Sequence, residues 1–317
     1  MDTTSIQAEG PVSGGYGQKN PSSFWNEKII TAILFLTPTI LMLAVFVVWP
    51  ILSTLRLSLF DWNGIDPTQT FVGLENWARI LNDDIFIKAF GNNILIVVLS
   101  IVIQIPIAML LAIFLDRYSK LFISKFFKTI YFLPLLMSSV AIGILFKFIY
   151  DPSFGPITMT LKDLGLNQLV RPWLADPDIA IYSIIAVVCW QFIPFYMVLF
   201  LAALTSIPSE MRDAALLDGA TEAQFYARIA VPMIQGTMRT SVILSLIGSL
   251  KYFDLIWVMT QGGPFNSTEL MATYMYKKAF VSADMGYGAT VASAMFIIVM
   301  VISSVVFYAS RRFETEV

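Results

Sequence analysis

Between two long apolar runs the chain reads Pro208-Ser209-Glu210-Met211-Arg212-Asp213-Ala214-Ala215-Leu216-Leu217-Asp218-Gly219, and then Thr221-Glu222-Ala223-Gln224 on the way to Ile229-Ala230-Val231-Pro232. The first part has the signals of a short amphipathic helix. Ser209 can cap it, Glu210 and Asp213 suit its positive N-terminus, and Gly219 can end it in a left-handed turn. Thr221 and Gln224 have the spacing of a capping box, so a second helix starts at once, and Pro232 stops or redirects the chain before the next apolar run. Two small exposed helices separated by a glycine turn make a knob that fits a groove on another protein. The other reading is a helix lying in a lipid interface, although the stretch is poor in the basic residues that such a helix carries.

Outward from this loop the chain is overwhelmingly apolar. Of 317 residues, 57% are hydrophobic and only 13% charged, and the mean hydropathy is +0.74, too apolar for one soluble core. A membrane-crossing helix needs about 20 mostly apolar residues, because backbone amides in hydrocarbon must pair internally. Six stretches meet that test: Ile29 to Ile51, Asn92 to Leu115, Thr129 to Tyr150, Ile179 to Thr205, Thr237 to Met259 and Gly288 to Tyr308. The first follows a polar head with Gly10, Pro11, Gly14, Gly15, Gly17 and Pro21, which has little to bury and is expected to be disordered. Head and run together are too long, and lack the small-residue cleavage site, for a removable signal peptide, so the run reads as a retained span.

An even number of spans puts both termini on one side, and the Lys and Arg distribution says which. The short loop Asp116 to Lys128 carries Arg117, Lys120, Lys125 and Lys128, and the last span leaves through Arg311 and Arg312. Both belong on the cytoplasmic side. The opposite face collects Asp61, Asp66, Glu75, Asp83, Asp84, Asp151, Asp163, Asp176 and Asp178. The expected organisation is a cytoplasmic head at 1–28, a transmembrane region at 29–312 with its informative cytoplasmic loop at 206–236, and a cytoplasmic tail at 313–317.

Several chemistries are excluded. With no His and the single Cys189, the chain cannot form an internal disulfide, a His-based metal site, or Ser-His or Cys-His catalysis. The formal net charge of -2 gives no basic field for nucleic acid. No stretch matches the phosphate-binding pattern G-x-x-x-x-G-K-[ST], so the chain is expected to bind no ATP by itself. No metal or catalytic residue is assigned, and an enzyme is not expected.

Within the spans a few polar positions stand out. Lys251 and Asp254, at i and i+3, would share one helix face and neutralise each other, either as a gate element of a substrate pathway or as a structural pair. Lys147 reads as a side chain snorkelling to the interface, and Trp49, Trp62, Trp77, Trp173 and Trp257 as interfacial anchors. Trp190 lies in mid-span in Cys189-Trp190-Gln191-Phe192-Ile193-Pro194-Phe195, where Pro194 should kink or unwind the helix. Such a segment can wall a sugar cavity, with rings for stacking and an amide for hydrogen bonds; equally, Gln191 can bond a neighbouring span.

The opening loop resembles the signature of the membrane subunits of binding-protein-dependent ABC importers, E-A-A-x3-G-x9-I-x-L-P. Asp213-Ala214-Ala215, Gly219 and Ile229-Ala230-Val231-Pro232 keep its spacing in full, with Asp213 standing for Glu and Val231 for Leu. Phe71-Val72-Gly73-Leu74-Glu75-Asn76-Trp77, Phe253-Asp254-Leu255-Ile256 and Thr260-Gln261-Gly262-Gly263-Pro264 look like the carbohydrate branch of that family, so the resemblance covers nearly the whole chain after the head. It implies a type I ABC importer permease fold, all-α with six transmembrane helices, in the bacterial or archaeal cytoplasmic membrane. It also implies that the knob is a coupling helix docking into an ATPase cleft, with Asp213, Ala214, Ala215, Asp218, Gly219, Ile229 and Pro232 carrying the contact.

The pattern is similar to that of the larger membrane subunit of the maltose importer, whose sugar lies between the fourth and fifth spans. By that likeness the cavity would include Trp190, Gln191, Phe192, Phe195, Ser245, Ser249 and Tyr252. The implied partners are a second, related permease in a heterodimer, an ATPase dimer holding ATP and Mg, and a sugar-binding protein resting on the loops Leu52 to Asn92, Asp151 to Asp178 and Gln261 to Gly286. The cargo would be a sugar, a di- or oligosaccharide, with a polyol or a sugar phosphate as the alternatives. A rival class is an ion-coupled secondary transporter using Lys251 and Asp254, but it leaves the loop from Asp213 to Pro232 without a task.

Overall fold

The apolar runs become helices, as backbone that can bond only to itself in hydrocarbon must. The computed structural model describes residues 21–119 and 122–311. The polar head at 1–20, Lys120, Arg312 and the tail at 313–317 lie outside the described residues, as do the side chains of Lys125 and Arg311.

In chain order the helices begin with α1 (Pro21–Leu43), continued through a π-helical segment at Ala44–Val48 into α2 (Trp49–Leu57), and then α3 (Glu75–Leu81) and α4 (Asp84–Arg117). Next come α5 (Phe122–Leu136), α6 (Ser139–Ile149), α7 (Pro156–Asp163) and α8 (Ala180–Thr205). The stretch that follows α8 holds α9 (Ser209–Leu217), α10 (Glu222–Phe225) and α11 (Val231–Met233), with a π-helical segment at Tyr226–Ala230. The chain closes with α12 (Gln235–Leu250), α13 (Asp254–Met259), α14 (Met271–Tyr276) and α15 (Met285–Arg311). Two short strands, β1 (Phe60–Asp61) and β2 (Thr70–Phe71), pair antiparallel with Phe60 opposite Phe71.

Residues up to Ser53 form one unit and those from Thr54 another. The first unit is an apolar helical rod whose side chains from Ile29 to Pro50 are exposed. Its helix starts at Pro21, inside the stretch expected to be disordered.

In the second unit α4 and α8 lie along each other, with α12 on α4 and α15, α13 against α6, and α14 against α15. Ala108 and Ala112 of α4 are fully buried against Met197 and Phe200 of α8, small residues that let two backbones approach. The same cluster takes in Ala215 of α9, Phe225 of α10, and Tyr226 and Ala230 of the π-helical segment. A second cluster joins Ile96 of α4, Ile142 of α6, Ile184 and Val188 of α8, and Leu255 and Ile256 of α13.

Four helices are long and apolar enough to cross a membrane, and six spans result if each of two bent pairs counts as one. The third expected span, Thr129 to Tyr150, is such a pair: α5 ends at Leu136 and α6 restarts at Ser139 with a bend of 101°. Ser138 caps the restart, its side chain accepting the Val140 amide at 3.2 Å. The fifth span is displaced from the expected Thr237 to Met259. Its helix ends at Leu250, and the bent pair joins Glu222–Met233 to Gln235–Leu250 at 68°.

Buried Asn93 helps fix that end, its Nδ2 facing the carbonyls of Ser249 and Leu250 at 3.5 and 3.3 Å while its Oδ1 accepts the Met271 amide at 2.9 Å. Carbonyls orphaned by the helix end are thereby answered by a buried side chain. The unwinding expected as one outcome at Pro194 does not occur, since α8 runs through it as one helix. Proline is tolerated inside a membrane helix whose neighbours hold it from the sides.

Candidate functional site

The break after Leu250 opens a cavity of about 530 Å3. One wall is α8, which contributes Phe192 and Phe195; the other is α12 with Ser245 and Ser249, and the chain between α12 and α13 adds Lys251, Tyr252 and Phe253. Phe192 meets Tyr252 edge to face, with ring centroids 5.8 Å apart. Gln104 of α4, Leu135 of α5 and Ser139 of α6 also line it. Ser245 Oγ donates to Gln104 Oε1 at 3.5 Å, and Gln104 Nε2 faces Cys189 Sγ at 3.8 Å, so the floor is a buried hydrogen-bonding amide between aromatic edges. Rings beside a few fixed polar groups suit a ligand with apolar faces and hydroxyl edges.

Five of the seven residues expected in the cavity, Phe192, Phe195, Ser245, Ser249 and Tyr252, line it. Two do not. Gln191 is only 3% exposed and turns its amide to Ser139 Oγ at 3.4 Å, bonding a neighbouring helix instead. Trp190 stands edge-on to Phe146 with centroids 5.2 Å apart. Gln104, Leu135 and Ser139 were missed because they come from other spans; the polar side chain of Gln104 amid Ile103 and Ile105 is the signal that pointed to it.

Lys251 and Asp254 both border the cavity and both are exposed. The expected pairing on one helix face is not formed. The helix stops at Leu250 and restarts at Asp254, so the i, i+3 geometry is lost, and the ion pairs among the described residues do not join the two.

The loop between the fourth and fifth spans folds as α9 and α10 around Gly219, followed by the π-helical segment and α11. Ser209 does not cap α9: the capping position falls on Pro208, whose φ of -57° and ψ of 135° set the chain's entry without a side-chain bond, and Ser209 is already helical. The capping box at Thr221 and Gln224 forms in both directions. Gly219 has φ +85°, and a Cβ there would meet nothing within 4 Å, so the backbone alone requires glycine.

Asp213, Ala214, Asp218 and Gly219 are exposed, whereas Ala215, at 8% exposure, packs inward on the chain itself. Ile229 is half-buried and Pro232 exposed. Leu217, which the sequence pattern did not single out, is 88% exposed at the end of α9. A large apolar side chain bared beside a glycine turn is a ready anchor for a partner. Arg212 of α9 donates to Glu222 Oε1 at 2.8 Å, and this bond raises the guanidinium pKa above its ordinary value.

At the far end of α4, Asp83 caps the helix by accepting the amides of Ile85 and Phe86, and it also accepts the hydroxyls of Tyr274 and Tyr287. Burial pushes its carboxyl pKa up, but these hydrogen bonds outweigh burial and hold it below the ordinary 3.8. Arg79 lies 3.9 Å from the Tyr287 ring centroid and reaches Asp284 at 3.0 Å. Nearby, buried Glu269 pairs with Lys277 and accepts from Thr273 at 2.7 Å. Gly262 has φ +82°, and a Cβ on it would lie 2.2 Å from Glu269 Oε2, so no other residue fits there.

Residues 104–315 match the family described as the binding-protein-dependent transport system inner membrane component. The chain belongs to that family. It is 37% identical to the probable ABC transporter permease protein YurN of Bacillus subtilis over 88% of this chain and 95% of that protein. To the lactose transport system permease protein LacF of Rhizobium radiobacter it is 35% identical over 88% of this chain and 93% of the relative. A bacterial ABC transporter involved in the import of the acidic polysaccharide alginate shares its fold with a TM-score of 0.81, at 24% identity over 92% of this chain and 100% of that one. As a member of the binding-protein-dependent family, the chain is a membrane-embedded permease subunit of an ABC importer, and its helices have the type I arrangement.

Proposed function

We propose that this permease carries a di- or oligosaccharide across the cytoplasmic membrane by alternating access. The observation that carries the reading is the cavity at the break of the fifth span, where Phe192, Phe195 and Tyr252 face Gln104, Ser245 and Ser249. Rings stack on the apolar faces of a pyranose, while the amide and hydroxyls take its edges. Relatives named for lactose, diacetylchitobiose and starch degradation products support a sugar as cargo.

In this mechanism the chain pairs with a second, homologous permease as a heterodimer and makes no covalent chemistry. Two ATPase subunits, which hold ATP and Mg, receive the knob formed by Asp213, Ala214, Leu217, Asp218 and Gly219. Ala215, Ile229 and Pro232 set the knob's seat on its own chain. ATP-driven closure opens the cavity outward to a soluble sugar-binding protein, and hydrolysis turns it inward. Each ligand acts only through its different affinity for the two conformations. Both termini lie in the cytoplasm, the side that the basic loop from Asp116 to Lys128 marks. Lys251 and Asp254 serve as polar groups at the cavity rim.

Purification from the native membrane in mild detergent, followed by mass spectrometry, tests the assembly. Recovery of a second permease, an ATPase and a sugar-binding protein is expected. Recovery of the chain alone, with gradient-driven uptake in vesicles lacking ATP, would overturn the reading in favour of ion-coupled transport.

A further inference from the structure

We propose that Tyr226 and Asp116 form a strut through which movement of the knob reaches the cavity wall, bypassing the chain's own path into the fifth span. The inference rests on the coupling role given to the knob above.

The covalent path is poorly suited to transmit a push. From the knob the chain passes through a π-helical segment at Tyr226–Ala230 and bends by 68° before α12 begins. Breaks and π-bulges are where helices give way. A second route is stiff and direct. Tyr226 Oη donates to Asp116 Oδ2 at 2.6 Å, joining the coupling loop to the last turn of α4.

The knob is tied to Tyr226 on its other side. Arg212 of α9 lies 6.0 Å from the Tyr226 ring centroid and bonds Glu222 of α10, while Ala215, Phe225 and Tyr226 share an apolar cluster with Leu115. Apolar contacts alone are non-directional and permit sliding. A short hydrogen bond fixes direction and distance.

The receiving end fits the task. A carboxylate in the last turn of a helix opposes the helix dipole, so stability of α4 by itself does not account for Asp116. Twelve residues back along the same continuous helix, which runs through Pro106, roughly 18 Å away, Gln104 lines the cavity. Because α4 packs along the length of α8, which carries Phe192 and Phe195, a displacement of Asp116 moves both sides of that wall together.

The test uses the full complex in proteoliposomes with Cys189→Ser and a reporter, Leu135→Cys, at the cavity. The readout is the rate of N-ethylmaleimide labelling with and without ATP, alongside ATP hydrolysis. In this background ATP is expected to change the labelling rate. Adding Tyr226→Phe, which keeps the ring in its cluster but removes the hydroxyl, should remove at least half of that change while hydrolysis continues. Asp116→Asn keeps an acceptor for the hydroxyl and should retain the response. Should Tyr226→Phe fail to assemble, Asp116→Ala reads the same bond from its other end. An unchanged ATP response in these bond-breaking variants would overturn the strut while leaving the importer intact. No ATP response in the parent background would remove the coupling reading, and the strut with it.

Discussion

Gly219 carries the tightest link between a single residue and the proposed mechanism. With φ +85° it turns the chain between α9 and α10, and open space surrounds its missing Cβ. Alanine there would cost about 1 kcal/mol through backbone strain alone. Aspartate adds a charge at the docking face, next to exposed Leu217 and Asp218. Gly219→Asp is therefore expected to reach the membrane in ordinary amounts and to lose sugar uptake, measured in cells lacking other uptake routes. Full uptake would remove the knob from the mechanism. This residue was legible because its spacing and its left-handed turn are properties of the local chain. Gln191 was not, since consecutive helical residues point about 100° apart and sequence does not set the absolute rotation of α8. One position on, Phe192 faces the cavity; Gln191 faces Ser139.

Among the elements, four of the six apolar runs lie within unbent helices, although the first extends to Leu57 instead of Ile51 and the second starts at Asp84 instead of Asn92, and the other two runs are those that bend. A proline signals a missing donor, but whether the helix breaks depends on neighbours. Pro194 and Pro106 are held inside long helices packed on each other, whereas α5 ends two residues after Pro134. Such packing spans distant sequence and is invisible to local pattern. The junction of α4, α14 and α15 around Asp83 has a pH signature. Its carboxyl pKa is depressed, so its contribution is fully present above the unfolded value near 3.8 and is lost as pH falls through the lower folded value. Asp83→Asn should lower thermal stability at pH 7 by about 1 to 3 kcal/mol and flatten the loss as pH falls below 3.8. An acid profile identical to that of the parent protein would show that the cluster is not held by this charge.

At the scale of the whole molecule, three features stand apart: the polar junction around Asp83, the cavity at the fifth-span break and the exposed knob of α9 and α10. Composition alone placed the chain in lipid, and the basic loop beside an acidic opposite face suggested its direction. Its lining could be read only in part, because Gln104, Leu135 and Ser139 join it from three separate helices. The account makes the chain one part of an ATP-driven machine. The most direct measurement is uptake of radiolabelled lactose, diacetylchitobiose and maltotriose into proteoliposomes holding this chain alone or its purified complex with added binding protein. Accumulation of one of these sugars only by the complex, and only with ATP on the ATPase side, is the predicted result. Accumulation by the chain alone, driven by a proton or sodium gradient and indifferent to ATP, would contradict it.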